Sequence, residues 1–167
     1  MSLPPYTTYP TVVADKILLR QIMPADIAGI VEISFYDAKQ ARTIAEAIEM
    51  QAKIDRDYLS GNSIHWAIVD RENNVVVGTC GYYRGFDNET GELGCVLLPA
   101  FRGKGYMTLA LKAAIKFGTT HVRLKRITAI TSAHNVKAIE LLQRLGFQQV
   151  IVSGKDELEY ELTNTFS

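Results

Sequence analysis

A mixed α/β fold, with a mostly antiparallel sheet of six to seven strands flanked by about four helices, is what this 167-residue sequence predicts, on three observations. The apolar period switches along the chain between two, the repeat of a strand, and three-to-four, the repeat of a helix. Turn-forming residues fall between the periodic segments and set the order βααβββαβαββ. The composition is 47% hydrophobic and 22% charged without any Pro/Gly/Ser tract, which suits one soluble domain that buries its own core.

Residues 1–14 read as an N-terminal extension and residues 15–167 as a single domain. Lys16–Ile22 is a short strand. Pro24 opens a helix with Ile27, Ile30, Val31 and Ser34 at helical spacing. A second helix covers Ala38–Leu59, with Ile44, Ile48 and the Tyr58/Leu59 end on one side and Ser60-Gly61 as its stop. Ile64–Val69 and Val75–Tyr83 are rich in β-branched and aromatic residues and form a hairpin around Asp70–Asn74; Gly91–Leu98 extends it into an antiparallel meander. Beyond Pro99 and a glycine-bearing loop, Leu109/Ala110, Ala113/Ala114 and Phe117 mark a helix over Tyr106–Gly118. Arg126–Ser132 is a strand, and Asn135 N-caps a helix ending at Gly146, where a left-handed residue suits glycine. Gln148–Val152 and Glu157–Leu162 are closing strands around the turn Ser153–Asp156.

The formal charge is zero, from 18 basic and 18 acidic residues, but the two signs are separated. Leu93–Ile139 has no Asp or Glu and carries Arg102, Lys104, Lys112, Lys116, Arg123, Lys125, Arg126 and Lys137, formally +8, leaving −8 on the rest. A block of one sign points to a ligand of the other, here an anion. Nucleic acid suits it less well, because the segment lacks interleaved aromatics and a reading helix. No apolar run approaches the ~20 residues of a membrane span, and Met1–Pro10 lacks the build of a secretory signal, so a cytoplasmic address is expected. Cys80 and Cys95 are too few for a disulfide framework and are not spaced for zinc.

Arg102-Gly103-Lys104-Gly105 stands between a strand and a helix. The first turn of a helix offers unpaired N–H groups and partial positive charge, and glycines let a phosphate come close. Alone, the loop reads equally as an anion cradle or a tight turn. It is not a Walker A motif, since Gly105 follows Lys104, nor a dinucleotide fingerprint, whose third small position falls on Thr108. The longer stretch Gly91-Glu-Leu-Gly-Cys-Val-Leu-Leu-Pro-Ala-Phe-Arg-Gly-Lys-Gly-Tyr106, followed by an alanine-rich helix, resembles the acetyl-CoA-binding core of the Gcn5-related N-acetyltransferases, the GNAT superfamily. Within it, the branch that acetylates ribosomal-protein N-termini is the most similar. The family pattern Arg/Gln-x-x-Gly-x-Gly/Ala falls on Arg102, Gly105 and Met107, the last departing from the usual small residue. Asn135-Val-Lys-Ala-Ile-Glu-Leu-Leu-Gln-Arg-Leu-Gly-Phe147 resembles the family's Asn-initiated helix, and Ile17-Leu-Leu-Arg20 and Val77-Gly78-Thr-Cys-Gly81 resemble its first and third strands.

The resemblance implies that Gly91–Leu98 and Arg126–Ser132 are the family's fourth and fifth strands, splayed apart around acetyl-CoA, with no metal. It implies Val96, Leu97 and Leu98 along the cofactor, Arg102, Gly103, Lys104, Gly105, Tyr106 and Met107 at its pyrophosphate, and Asn135 near the pantetheine arm, where Asn135 reads equally as a plain N-cap. It further implies acetyl transfer to a primary amine by direct attack in a ternary complex, with Glu92, which reads equally as a solvated strand-end carboxylate, as candidate base and a backbone N–H near Val96–Leu97 polarising the carbonyl. The family's usual hydroxyl acids are replaced by Ala138 and Leu142, which leaves Ser132 and His134, otherwise a strand-end hydroxyl and a loop side chain, as substitutes. The same replacements keep open a non-catalytic coenzyme A-binding module. Cys95 with His134 is a ping-pong alternative. By the resemblance, Pro24–Leu59 and Gln148–Leu162 build the acceptor side, and their acids, Asp26, Glu32, Asp37, Asp57, Glu159 and Glu161 among them, suit a cationic amine such as a peptide N-terminus, a polyamine or an aminoglycoside. Tyr36, Tyr82 and Tyr83 read as packing or as lining of that side, and His65 and Trp66 as core edge first and as lining of the amine side second. A homodimer is left open.

Overall fold

In the computed structural model, residues 1–150 and 156–163 are described; the expected strand end at 151–152 and most of the turn at 153–156 lie outside them. The strands are β1 (Val12–Ala14), β2 (Ile17–Gln21), β3 (Phe35–Tyr36), β4 (Lys39–Gln40), β5 (Ile64–Asp70), β6 (Val75–Tyr83), β7 (Thr90–Leu97), β8 (Arg126–Ser132), β9 (Gln148–Gln149) and β10 (Glu157–Thr163). The helices are α1 (Ile44–Leu59), α2 (Tyr106–Phe117) and α3 (Val136–Arg144). Eight strands form one sheet in the order β1-β2-β5-β6-β7-β8-β10-β9, and β3 and β4 make a separate two-residue ribbon. Every pair in the main sheet is antiparallel except β7 with β8. No helix among the described residues is long and apolar enough to cross a membrane.

Each face of the sheet is covered, which is why β5 is buried along its whole length. On one face Ala47 of α1 meets Ile22, Ile27, Ile30 and Ile33. On the other, Ala110 and Ala114 of α2 and Leu141 and Leu142 of α3 pack with Trp66, Tyr82, Leu93 and Leu97. Alanines on α2 let it approach closely enough for the Tyr82 hydroxyl to donate to Ala114 O at 2.8 Å.

Two expected helices take another form. Pro24–Gly29 and Val31–Ile33 are separate 3-10 turns, interrupted at Ile30 (φ −122°, ψ 16°). Asp26 accounts for the tight entry: its carboxylate accepts from the Met23 N–H at 2.7 Å and pairs with Arg20 at 2.7 Å. The second helix begins at Ile44 rather than Ala38, because Asp37 and Ala38, both at positive φ, turn β3 into β4. Thr43 then caps α1, accepting from the Glu46 N–H at 3.1 Å while Glu46 accepts from the Arg42 N–H at 2.6 Å. The strand beyond the expected seven is β1, in the N-terminal extension. Tyr9 and Pro10 pack there too, Pro10 O accepting from the Trp66 indole at 2.9 Å.

The feature that shapes the site is the divergence of β7 from β8. They pair through Thr90↔Arg126, Gly91↔Ile127 and Glu92↔Thr128, and no further. From Leu93 onward β7 pairs with β6 alone, and from Ala129 onward β8 pairs with β10 alone. Leu98 N–H donates to Val77 O at 2.9 Å, on the β6 side. Strand alternation therefore turns the backbone groups of Gly94 and Val96 toward β6 and those of Cys95 and Leu97 into the gap.

Candidate active site

At the far end of β7, Pro99–Phe101 forms a 3-10 turn that leads into the glycine loop. Gly103 (φ +74°) and Gly105 (φ +84°) both take the left-handed conformation, and a Cβ at either would meet nothing within 4 Å. That open space lies directly before the first turn of α2, whose N–H groups have no partner within the helix. An added side chain would occupy the space an anion needs, so the loop fits a pyrophosphate. Arg102 and Lys104 are exposed and, among the described residues, form no ion pair, whereas Lys125 pairs with Glu89 and Arg126 with Glu161, both at 2.6 Å. Met107 packs against the core, so its bulk does not fill the cradle. Lys16 is a cation that the motifs do not reveal: its Nζ donates to Lys104 O at 3.0 Å and lies 4.6 Å from the centre of the Tyr106 ring.

The α1 side of the same strand carries a cleft of about 660 Å³. Its walls are Glu92, Gly94, Cys95 and Val96 of β7, the Tyr83–Gly85 segment with Asp87, the β3–β4 ribbon, Asp57 of α1 and His65 of β5. Glu92 is both the last residue of β7 paired to β8 and part of this wall. Its carboxylate is held by Arg84 at 2.5 Å with 24% of the side chain exposed. Among the described residues of the lining, Asp37, Asp57, Asp87 and Glu92 stand against Arg84 alone, a formal −3. Tyr36 donates to Asp57 at 2.9 Å, fixing that carboxylate. Tyr83 lies over Gly94, where a Cβ would come within 2.9 Å of its ring, and burial pushes its phenol well up, so it remains a donor. Burial also pushes the Cys95 thiol up to about 12, which removes the thiolate that a ping-pong nucleophile requires.

The other expected residues lie elsewhere. Ser132, His134 and Asn135 are exposed in the turn from β8 into α3, outside the lining of the cleft. Ser132 Oγ accepts from the His134 N–H at 3.2 Å, and Asn135 Oδ1 accepts from the Ala138 N–H at 3.2 Å, so Asn135 serves as an N-cap. Tyr36 and Tyr83 line the cleft, while Tyr82 and Trp66 face the opposite core. Of the acids expected on the acceptor side, Asp37 and Asp57 line the cleft; Asp26 is taken by Arg20, and Glu159 and Glu161 by Arg126. Among the described residues the closing hairpin contributes none of the lining. Asp87 and Arg84 are charged lining residues that sequence reasoning did not single out, while His65, read as core edge or as lining of the amine side, does line the cleft.

An acetyltransferase (GNAT) domain model matches residues 16–148. The uncharacterized N-acetyltransferase YoaA of Bacillus subtilis (strain 168) is 25% identical over 149 residues, 84% of each chain. Among solved structures, a Vibrio cholerae protein provisionally assigned as a ribosomal-protein-serine acetyltransferase superposes with a TM-score of 0.80 at 17% identity, over 95% of this chain and 100% of that one. A dodecameric spermidine N-acetyltransferase from Vibrio cholerae gives 0.74 at 17% identity, over 89% and 94%. The structural likenesses establish the fold, and the domain match covers the loop, the diverging strands and the cleft together: the chain belongs to the GNAT family and is an N-acetyltransferase.

Proposed function

We propose that this enzyme transfers the acetyl group of acetyl-CoA to a cationic primary amine by direct attack within a ternary complex. One observation carries the reading: the unpaired backbone edge of β7 and the acidic cleft lie on the two sides of one strand segment and meet at Glu92. Acetyl-CoA supplies an activated acetyl thioester whose sulfur leaves as the thiol. The loop Arg102–Tyr106 holds the pyrophosphate through backbone N–H groups, Arg102 and Lys104 add positive charge, and Lys16 braces the loop. Val96, Leu97 and Leu98 flank the extended arm, and alternation makes Leu97 or Cys95, rather than Val96, the donor to the thioester oxygen. Glu92 takes one proton of the ammonium, Arg84 keeps its carboxylate aimed into the cleft, and the second proton that the nitrogen sheds on attack goes to the departing sulfur.

The net −3 of the lining concentrates cations, and the fold neighbour named for spermidine acetylation supports an acceptor of that charge. The test is thiol release from acetyl-CoA with a panel of amines: polyamines, peptides with free N-termini and aminoglycosides. Acetylated amine in equal amount to released thiol, with cationic amines turned over fastest, is the expected result. Tight acetyl-CoA binding without thiol release from any amine would leave a coenzyme A-binding module instead.

A further inference from the structure

The cation that meets the glycine loop comes from 88 residues away in sequence. Ala14 and Ile17 pair across a two-residue turn, Asp15-Lys16, with Asp15 in the left-handed region at φ +53°. Arg71, just beyond β5, fixes this turn by bonding both of its carbonyls: its N–H donates to Lys16 O at 2.9 Å and its guanidinium to Asp15 O at 2.7 Å. The Lys16 side chain is thereby held against the loop, where Nζ donates to Lys104 O at 3.0 Å and sits 4.6 Å from the centre of the Tyr106 ring. That ring is a firm support, since Tyr106 is buried and meets Phe101 edge-on.

The carbonyl that Lys16 takes belongs to the peptide between Lys104 and Gly105. In a trans peptide the C=O and N–H point in opposite directions, so anchoring the Lys104 oxygen aims the Gly105 N–H away from Lys16. Among the described residues the N–H groups of Gly103, Lys104 and Gly105 donate to no protein acceptor, and a Cβ on Gly105 would meet nothing within 4 Å. Nothing within the loop sets that aim. Turning the peptide over changes only ψ of Lys104 and φ of Gly105, and glycine accepts either sign of φ. In the reversed orientation the loop would offer a carbonyl oxygen where a phosphate needs a donor.

We propose that Lys16 is a positioning residue: by holding the Lys104 carbonyl it locks the Lys104–Gly105 peptide with its N–H toward the bound anion. The inference rests on reading the loop as the pyrophosphate site of acetyl-CoA. Arg102 and Lys104 attract a phosphate through exposed charge, an effect that salt screens; Lys16 acts through the geometry of a backbone donor, which salt does not alter.

The test compares Lys16→Met, which keeps the apolar stem and removes the donor, with Lys16→Arg, which keeps a donor, and with Lys104→Met, which removes one charge beside the loop but leaves the brace. Titration calorimetry with acetyl-CoA should give a Kd about 10-fold higher for Lys16→Met at unchanged Tm, the scale of a hydrogen bond to a charged group, with Lys16→Arg recovering most of the loss. Raising the salt to about 1 M, where the screening length is about 3 Å, should abolish the smaller loss in Lys104→Met and leave that in Lys16→Met. A nitrogen-15 amide spectrum of the ligand-free protein provides a readout independent of binding: the Gly105 and Tyr106 resonances are broadened by exchange in Lys16→Met and sharp in the wild type and in Lys104→Met. A loss in Lys16→Met that disappears with salt as it does in Lys104→Met, or a Gly105 resonance that stays sharp, overturns the proposal. If the wild-type protein binds no acetyl-CoA, the proposed function fails, while the Gly105 resonance still decides whether Lys16 holds the peptide.

Discussion

Glu92, the proposed base, ends the pairing of β7 with β8 and lines the acidic cleft, and its neighbours make that role separable from folding. Its side chain is partly solvated, and its one strong partner, Arg84, is 61% exposed. Glu92→Gln is therefore expected to fold normally, keep its acetyl-CoA affinity by calorimetry and lose about 10²-fold in kcat, the usual scale for losing a general base. Unchanged turnover would remove Glu92 from the mechanism. His65 gives a second residue-scale expectation, in stability. Its folded-state value is depressed to about 4, so between about 6.5 and 4 the unfolded chain binds a proton that the native state refuses. Stability attributable to His65 is complete above 6.5 and falls as the pH drops toward 4. The difference in Tm between wild type and His65→Leu should shift in favour of the variant from pH 7 to pH 5; a pH-independent difference would show that the ring is not held neutral. The place of Glu92 on the strand before the glycine loop was legible in the sequence through its motif. Which of His65 and Trp66 turns to the cleft was not, because β5 is buried on both faces and a strand without polar–apolar alternation leaves its two sides indistinguishable.

At the scale of elements, the glycine loop and the start of α1 make opposite lessons. Arg102–Tyr106 was readable because two left-handed glycines before a helix are a local requirement, independent of the rest of the fold. Gly105→Val places a β-branched side chain at φ +84° inside the open cradle, and titration calorimetry should show the acetyl-CoA Kd rising at least about 10-fold; equal affinity would sink the loop assignment. Of the two helices expected after β2, the first forms as 3-10 turns and the second starts six residues late. Apolar spacing at Ile27, Ile30 and Val31 is compatible with a helix, but Asp26 bonds the backbone and Arg20 in a tighter turn, and tertiary packing of Ile27, Ile30 and Ile33 holds that shape. The α1 boundary was encoded in Thr43 and Glu46, a capping pair that the longer apolar pattern obscured. Thr43→Ala should lower stability by about 1 kcal/mol in urea unfolding with activity retained, and no change would mean the helix does not depend on this cap.

For the whole molecule, the zero net charge hides two surfaces on either side of β7. The basic block points to the proposed cofactor side, but not all of it is available for a ligand: Lys125 and Arg126 are paired with acids brought from Glu89 and Glu161 by the fold. The acidic side was less legible, since Asp87 lies between strands and only the folded chain sets it opposite Asp37 and Asp57. Both ligands being charged, raising the salt concentration should weaken acetyl-CoA binding and raise the amine KM together, as screening shortens the reach of exposed charges. The central claim is that the backbone edge exposed where β7 leaves β8 is the seat of the acyl donor, with the acceptor cleft on its other side. Amide hydrogen exchange resolved by residue, with and without saturating acetyl-CoA, tests it most directly. The N–H groups of Cys95 and Leu97 should slow about 10-fold or more, while those of Gly94 and Val96, already bonded to β6, change little; equal exchange at Cys95 and Leu97 in the two states would contradict the account.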